Sequence, residues 1–326
     1  MKLTLFHSLI YNKENLDGLL KNLPGLKSKG FNAIIAEVAT SVRLKCHPEI
    51  CDGDIDIDDL AEFAQACKSL GLQFIPLINF LGHQGWKENR NGLLKAYPQF
   101  EEVVYGECNL AEVFLNYTPA WCPQTEVLNV IRDVIGEVID KTKCKYFHIG
   151  MDEVFKIGLC KKCKNYSKGE LFVSTANNLN KIVRNCGAKT MMWGDRLIPN
   201  SLAGSDWAGD ALGIHEHIDN LSKDIIICDW QYNVPYKNKT NQYLLEHGFS
   251  VVPSVWNDSY TAYKTFLNAV KLNVDYKNKV LGIMLTNWSL SQSQVKQILD
   301  DEKISEDEQL LLKNSINVFS YFNSKN

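Results

Sequence analysis

Residues 145–154 read KYFHIGMDEV, an apolar run that ends in a glycine and is followed, one residue later, by two adjacent carboxylates, Asp152 and Glu153. Tyr146, Phe147 and Ile149 have the bulk and branching of a buried strand, and Gly150 lets backbone or ligand approach closely. Paired acids where a strand leaves its sheet suggest acid/base chemistry, since barrel enzymes keep their catalysts at such ends. Taken alone, the pair reads at least as readily as an N-cap aspartate and a first-turn glutamate of the next helix. The rest of the chain has to decide between the two.

Other chemistry-bearing residues recur where apolar runs end. In chain order they are Glu37, Asn79 with His83 just beyond, His148 ahead of the acids, Trp193 with Asp195, Asp229 with Trp230 and Tyr232, Trp256 with Asp258, and Asn287 with Trp288. An indole offers a flat apolar face to a sugar ring while carboxylates and amides bind its hydroxyls, so aromatic and acidic residues repeated at equivalent places suggest a carbohydrate site. One such tryptophan alone is more often a packing residue at a rim, and His83 or His148 alone a hydrogen-bonded structural histidine. Repetition over four successive runs weakens that reading.

The elements that must position these residues follow from periodicity. Apolar, β-rich runs at 3–6, 33–38, 73–79, 146–150, 190–193, 225–230, 250–255 and 282–286 alternate with stretches of helical period, the pattern of a parallel sheet. The segment 58–70 puts Leu60, Phe63, Ala64, Cys67 and Leu70 on one face and stops at Gly71. The segment 126–142 aligns Val127, Val130, Ile131, Val134, Ile135, Val138 and Ile139, with Thr125 as its expected N-cap. Eight strands with intervening helices predict an α/β fold of the (β/α)8 TIM-barrel type, and the glycine-rich phosphate loop favoured by a doubly wound sheet does not follow the first strand. No linker divides residues 1–326, which read as a single barrel domain. Its last part, 301–326, reads as an amphipathic closing helix with Leu310, Leu311, Ile316 and Phe319 facing inward.

Composition excludes some partners. With 45% hydrophobic residues the chain can bury a large core, and a net charge of −3 mixed along its length gives no basic field for nucleic acid or anionic lipid. The N-terminal MKLTLFHSLIYNKENLDG lacks an extended apolar core and no later run approaches membrane-spanning length, so a soluble cytoplasmic protein is expected. The ten cysteines, scattered through a chain this size, are expected mostly reduced. Nothing in the pattern fixes an oligomeric state.

The stretch FHIGMDEV resembles the His-x-Gly-x-Asp-Glu signature of glycoside hydrolase family 20, the β-N-acetylhexosaminidases. FIPLINFLGH, AWCPQTEVLNVI, TMMWGDRL, CDWQYN and GIMLTNW are similar to further segments of that family, and the likeness is nearest to the short hexosaminidase D type. The resemblance implies removal of terminal β-linked N-acetylhexosamine, GalNAc or GlcNAc, by a substrate-assisted retaining mechanism; neither metal nor cofactor is expected. It implies Glu153 as general acid and base, Asp152 as the ionised acceptor of the 2-acetamido N–H, and Tyr232 as a donor to the acetamido oxygen, a plain rim tyrosine being the competing reading. Trp193, Trp230 and Trp288 are implied as pocket walls, His83 and His148 as braces for the carboxylates, and Glu37 as a hydroxyl-binding or supporting residue; Trp256 and Asp258, from their place at the end of an apolar run, are expected as further substrate contacts. Neighbours in a strand face opposite sides, so both acids enter one pocket only if the chain leaves strand geometry at Met151 or Asp152.

Two departures stand out. The first strand reads LFHSLIYN where well-studied members carry an arginine for the sugar's 3- and 4-hydroxyls, and Leu290 stands where an acid follows the strand-eight tryptophan. The acetamido chemistry is unaffected, but the epimer stays open. Cys160-Lys-Lys-Cys163 is half of a zinc pattern, with Cys46, His47 or Cys51 as distant partners; two thiols in a surface turn are the expected reading, and no metal is assigned. A catalytically silent amino-sugar-binding barrel, sensor or lectin-like, is the alternative from another class, and the intact acid pair favours the enzyme.

Overall fold

The computed structural model describes residues 1–103, 118–203, 207–232, 239–302, 304 and 306–324. Eight parallel strands pair in chain order and close on themselves. They are β1 (Leu3–Leu9), β2 (Ala33–Glu37), β3 (Gln73–Phe80), β4 (Tyr146–Gly150), β5 (Lys189–Trp193), β6 (Ile226–Trp230), β7 (Ser250–Val255) and β8 (Gly282–Asn287). The first and last strands join in the register Leu3↔Gly282 through Ser8↔Asn287. This is the (β/α)8 barrel expected, and each predicted strand is present. The first runs past its apolar stretch because His7 and Ser8 continue it while fully buried.

The main helices are α1 (Lys13–Ser28), α2 (Ile57–Ser69), α3 (Val127–Thr142), α4 (Lys168–Asn185), α5 (Thr240–Glu246), α6 (Ser259–Asp275), α7 (Gln292–Leu299) and α8 (Asp307–Asn323). The alternation expected from sequence lapses once. Among the described residues, β5 and β6 are joined by the 3-10 turns Asp195–Leu197 and His215–Asn220 rather than by an α-helix. No helix of the described residues is long and apolar enough to cross a membrane.

The two-residue period of each strand sorts side chains between two cores. Leu3, Leu5, Ala33, Ile35, Ile75, Leu77, Met191, Ile226, Cys228, Val252 and Met284 pack inside the barrel. The alternate residues, such as Phe6, Ile34, Phe147, Met192, Ile227 and Leu285, face the helix layer. Two positions further along the inward faces stand His7, Glu37, Asn79, Trp193, Trp230 and Thr286. The apolar plug thus gives way to polar and aromatic groups at the C-terminal mouth.

Two local expectations are corrected. Thr125 does not cap α3: its hydroxyl donates to the Cys122 carbonyl at 2.8 Å, and Glu126 occupies the cap position. Leu310 and Leu311 are exposed, because α8 buries Leu312, Ile316 and Phe319 at helical spacing, Phe319 against Phe31 and Phe266.

Candidate active site

The acid pair owes its placement to a break in strand geometry. Gly150, Met151 and Glu153 all have positive φ, +66°, +69° and +48°, a region that costs a side-chain-bearing residue of order 1 kcal/mol. The chain therefore leaves β4 at Gly150, Met151 turns fully into the core, and Asp152 and Glu153 both reach the mouth. Asn79 holds this turn: its Oδ1 accepts the Met151 N–H at 3.1 Å and its Nδ2 donates to Glu37 Oε1 at 3.0 Å. A register shift in the β3–β4 pairing between Leu77 and Phe80 aims Asn79 there. Gln84 ties off the loop beyond, donating to the carbonyls of Asn79 and Gly82.

His83 bridges the acids. Its Nε2 lies 3.3 Å from Asp152 Oδ2 and 3.2 Å from Glu153 Oε2, close enough for ion pairing without the alignment of a full hydrogen bond. Burial alone would lower the His83 pKa, but the Asp152 and Glu153 carboxylates hold it well above the ordinary value. Reciprocally, burial would raise Asp152, and the His83 charge keeps it below the usual carboxylate range. Asp152 is thus ionised at neutral pH. Its other oxygen, Oδ1, is buried and accepts nothing from the protein.

Behind the pair, Asp195 Oδ2 accepts the Glu153 N–H at 2.9 Å and Arg196 Nε at 2.8 Å. Burial lifts Asp195 to about 6 against the pull of Arg196, with Asp152 adding to the rise. Arg196, itself buried, donates to the Trp207 carbonyl and lies over the Phe155 ring. On the other side, Thr118 donates to the Glu153 carbonyl at 3.1 Å. His148 accepts the Gly150 N–H on Nδ1, and burial lowers its pKa to about 3, so it is a neutral imidazole carrying its hydrogen on Nε2, which has no partner.

The aromatics line one continuous surface. Trp193 is almost wholly buried and packs against His148 at 4.6 Å and His7 and Trp288 at 6.0 Å each, which makes it a floor rather than a wall. Trp230 and Trp256 flank Tyr232 at 5.4 and 5.7 Å. Trp288 Nε1 donates to Tyr232 Oη at 2.8 Å, which leaves the phenol's own hydrogen available to donate. Burial raises the Tyr232 pKa and keeps that hydrogen in place. Asp258 stands apart in its bonding: it caps α6, accepting the Tyr260 N–H and the Thr261 hydroxyl.

Two supporting residues, His7 and Arg196, are not among the candidates that the sequence offers, and a third, Asp195, shows there only as the end of an apolar run. His7 pairs with Glu37 at 3.0 Å and packs on Trp288 at 4.3 Å, from a first strand that holds no arginine. A polar residue at an inward position of an otherwise apolar strand was its only signal. The sequence marks Asp195 as a strand end but not as the support of the Glu153 backbone, and nothing local marks Arg196. The mouth also gathers unpartnered buried polar atoms, His7 Nδ1, His148 Nε2, Asp152 Oδ1, Trp193 Nε1 and Trp230 Nε1. Buried groups normally find hydrogen bonds, so this concentration marks a place for a polar guest.

Comparison with known proteins adds a family. Residues 3–309 match the family model described as glycosyl hydrolase family 20, catalytic domain. Among solved structures, the Flavobacterium johnsoniae chitobiase aligns over 98% of this chain and 48% of its own with a TM-score of 0.69 and 16% identity. A β-N-acetylhexosaminidase from Bacteroides fragilis aligns over 97% of this chain and 66% of its own, at 0.68 and 14%. An exo-β-N-acetylglucosaminidase from Vibrio harveyi, in complex with N-acetylglucosamine, aligns over 97% and 54%, at 0.67 and 14%. At such identities these likenesses show the fold, and this chain spans roughly half to two thirds of each of those proteins. No curated protein sequence matches it.

Proposed function

The chain belongs to glycosyl hydrolase family 20, and on that premise we propose that it removes terminal β-linked N-acetylhexosamine by substrate-assisted hydrolysis with retention. One observation carries the reading: Asp152 is held ionised by His83 through Oδ2 while its buried Oδ1 stays free, with Glu153 on the same imidazole. A free carboxylate oxygen in a low-dielectric site is a strong acceptor for the 2-acetamido N–H. Accepting it pushes electron density onto the acetamido carbonyl oxygen, which attacks the anomeric carbon as the glycosidic bond breaks and Glu153 gives its proton to the departing oxygen. The positive charge of the oxazolinium ion then lies beside the Asp152 carboxylate. Glu153, now a base, takes a proton from the water that opens the ring.

The remaining residues orient the sugar. Tyr232, its oxygen engaged by Trp288, directs its hydroxyl hydrogen to the acetamido oxygen, and Trp193 and Trp288 supply apolar faces beneath the ring. His7 and Glu37 take the hydroxyl-binding place left by the absent arginine. Their compact, mutually hydrogen-bonded geometry differs from a guanidinium fork, so the choice between gluco and galacto epimers rests on this pair.

The test separates the two acids by leaving group. Glu153→Gln should abolish hydrolysis of substrates with a poor leaving group and spare much of the first step when a dinitrophenyl group needs no proton; Asp152→Asn should impair both. Equal loss for both leaving groups in Glu153→Gln would remove Glu153 from the acid role.

A further inference from the structure

Beyond the carboxylates, four side chains from two loops converge in a way the hydrolytic scheme does not use. Cys122 Sγ lies 3.4 Å from Cys160 Sγ and 3.3 Å from Cys163 Sγ. With a carboxylate oxygen of Glu102 they form a group whose four ligand atoms all fall within 4.8 Å of one another. Glu102, Cys122 and Cys163 are at most 3% exposed, and Cys160 is half-buried. Glu102 Oε1 is fixed by the backbone N–H groups of Leu159 and Cys160 at 2.7 and 3.1 Å, whereas Oε2 is buried with no hydrogen-bond partner.

This arrangement is costly as it stands and favourable around a cation. A buried carboxylate oxygen without a partner, facing three thiols, is destabilising unless a charge compensates it. The sulfur separations are far from the ~2.05 Å of a disulfide. Three sulfurs and one oxygen make a soft, four-donor set that suits Zn²⁺, with Zn–S near ~2.3 Å. Tetrahedral vertices at that radius lie ~3.8 Å apart, so Cys122 Sγ needs to draw away from the other two sulfurs by only a few tenths of an ångström. The turn at Cys160–Cys163 already has the shape of a metal knuckle, closed by Cys163 N–H and Lys164 N–H on the Cys160 carbonyl.

We infer that Glu102, Cys122, Cys160 and Cys163 form a structural zinc site that fastens the β3–α3 connection to the β4–α4 connection. Four protein ligands leave no open position for water or substrate, so the metal takes no part in hydrolysis. Its importance is positional: the same two connections hold the catalytic turn, through the Thr118 bond to the Glu153 carbonyl and the Trp121 N–H bond to the Leu81 carbonyl. The distant partners considered from sequence are engaged elsewhere. Cys46 sits at Glu137, His47 pairs with Glu49 and Asp133, and the Cys51 thiol faces the Ser41 and Gly53 carbonyls.

The experiment uses the full chain purified under reducing conditions. Metal analysis should find one zinc per chain, and cobalt reconstitution should give the red d–d bands of a tetrahedral site with strong thiolate charge transfer in the near ultraviolet. Cys163→Ser should lose the zinc and Glu102→Gln should weaken its retention at least tenfold, while Cys46→Ser keeps both. A strong chelator should lower the melting temperature of the wild type and leave that of Cys163→Ser unchanged. If Cys163→Ser does not fold, the wild-type stoichiometry and cobalt spectrum decide alone. Wild type that neither retains zinc nor gives the cobalt spectrum, or whose mass shows two of these cysteines joined in a disulfide, overturns the inference.

Discussion

Replacing Gly150 with alanine should destabilise the protein by roughly 3–6 kcal/mol and remove its activity. The left-handed backbone there, φ +66°, costs alanine about 1 kcal/mol. The new Cβ would stand 1.7 Å from Asn79 Oδ1, 2.5 Å from its Cγ and 2.7 Å from its Cα. The amide can rotate away, but only by giving up its bonds to Met151 N–H and Glu37; the Cα cannot move without shifting β3. Each lost bond is worth about 1 kcal/mol, and the buried Met151 N–H left unpaired adds up to about 3. That sum is a large share of an ordinary domain's stability of about 5–15 kcal/mol. Urea unfolding followed by circular dichroism, with hydrolysis rates at matched folded fraction, measures both effects. Gly136 is the internal control: it lies in α3 with nothing within 4 Å of an added Cβ, and alanine there should stabilise by up to about 1 kcal/mol. Gly150→Ala within 1 kcal/mol of wild type and fully active would refute the role given to the Asn79-held turn.

Three further outcomes follow from the same geometry. His83→Gln removes the charge that keeps Asp152 ionised, so the acid limb of the kcat/KM profile should move to higher pH, the loss being greatest in acid. Because the folded pKa of His83 is raised, its ion pairs stabilise the wild type fully below the ordinary value of 6.5 and cease to do so as pH rises through the raised value, a dependence the variant should lack. Tyr232→Phe should lower kcat/KM by about 10- to 100-fold for acetamido substrates with little change in far-ultraviolet dichroism. Burial lifts Asp229 to about 6 from 3.8, so its contribution to stability is complete below 3.8 and lost as pH rises through 6. Asp229→Asn should therefore flatten the stability curve between about pH 4 and pH 7 by as much as about 3 kcal/mol relative to wild type.

The barrel was legible because parallel strands are buried on both faces and read as near-continuous apolar runs between helical stretches. The acid turn was legible for a stereochemical reason: two neighbours cannot face one pocket from a regular strand, and Gly150 and Met151 supply the break. His7 was hidden by its setting, one polar residue that the apolar count took as the end of a strand. Arg196 and Asp195 act through the Glu153 backbone N–H, on the loop after the neighbouring strand, which no local spacing reports. The Cys160–Cys163 half of the metal cluster was visible, but Cys122 and Glu102 lie 38 and 58 positions before Cys160, and only the fold brings them together. Leu310 and Leu311 show the limit of counting apolar residues in a helix whose inner face is partly polar, with Gln309 and Ser315 buried beside Leu312.

The central claim is that the substrate's own acetamido group is the nucleophile, aligned by Asp152. The most direct measurement is kcat/KM of the wild type on aryl β-glycosides of GlcNAc, GalNAc, glucose and galactose, with a thiazoline mimic of the oxazoline as inhibitor. The account predicts turnover confined to the two acetamido sugars and tight inhibition by the thiazoline that is lost in Asp152→Asn. Comparable turnover of the plain glucoside or galactoside, or binding of acetamido sugars with no turnover at all, would contradict it.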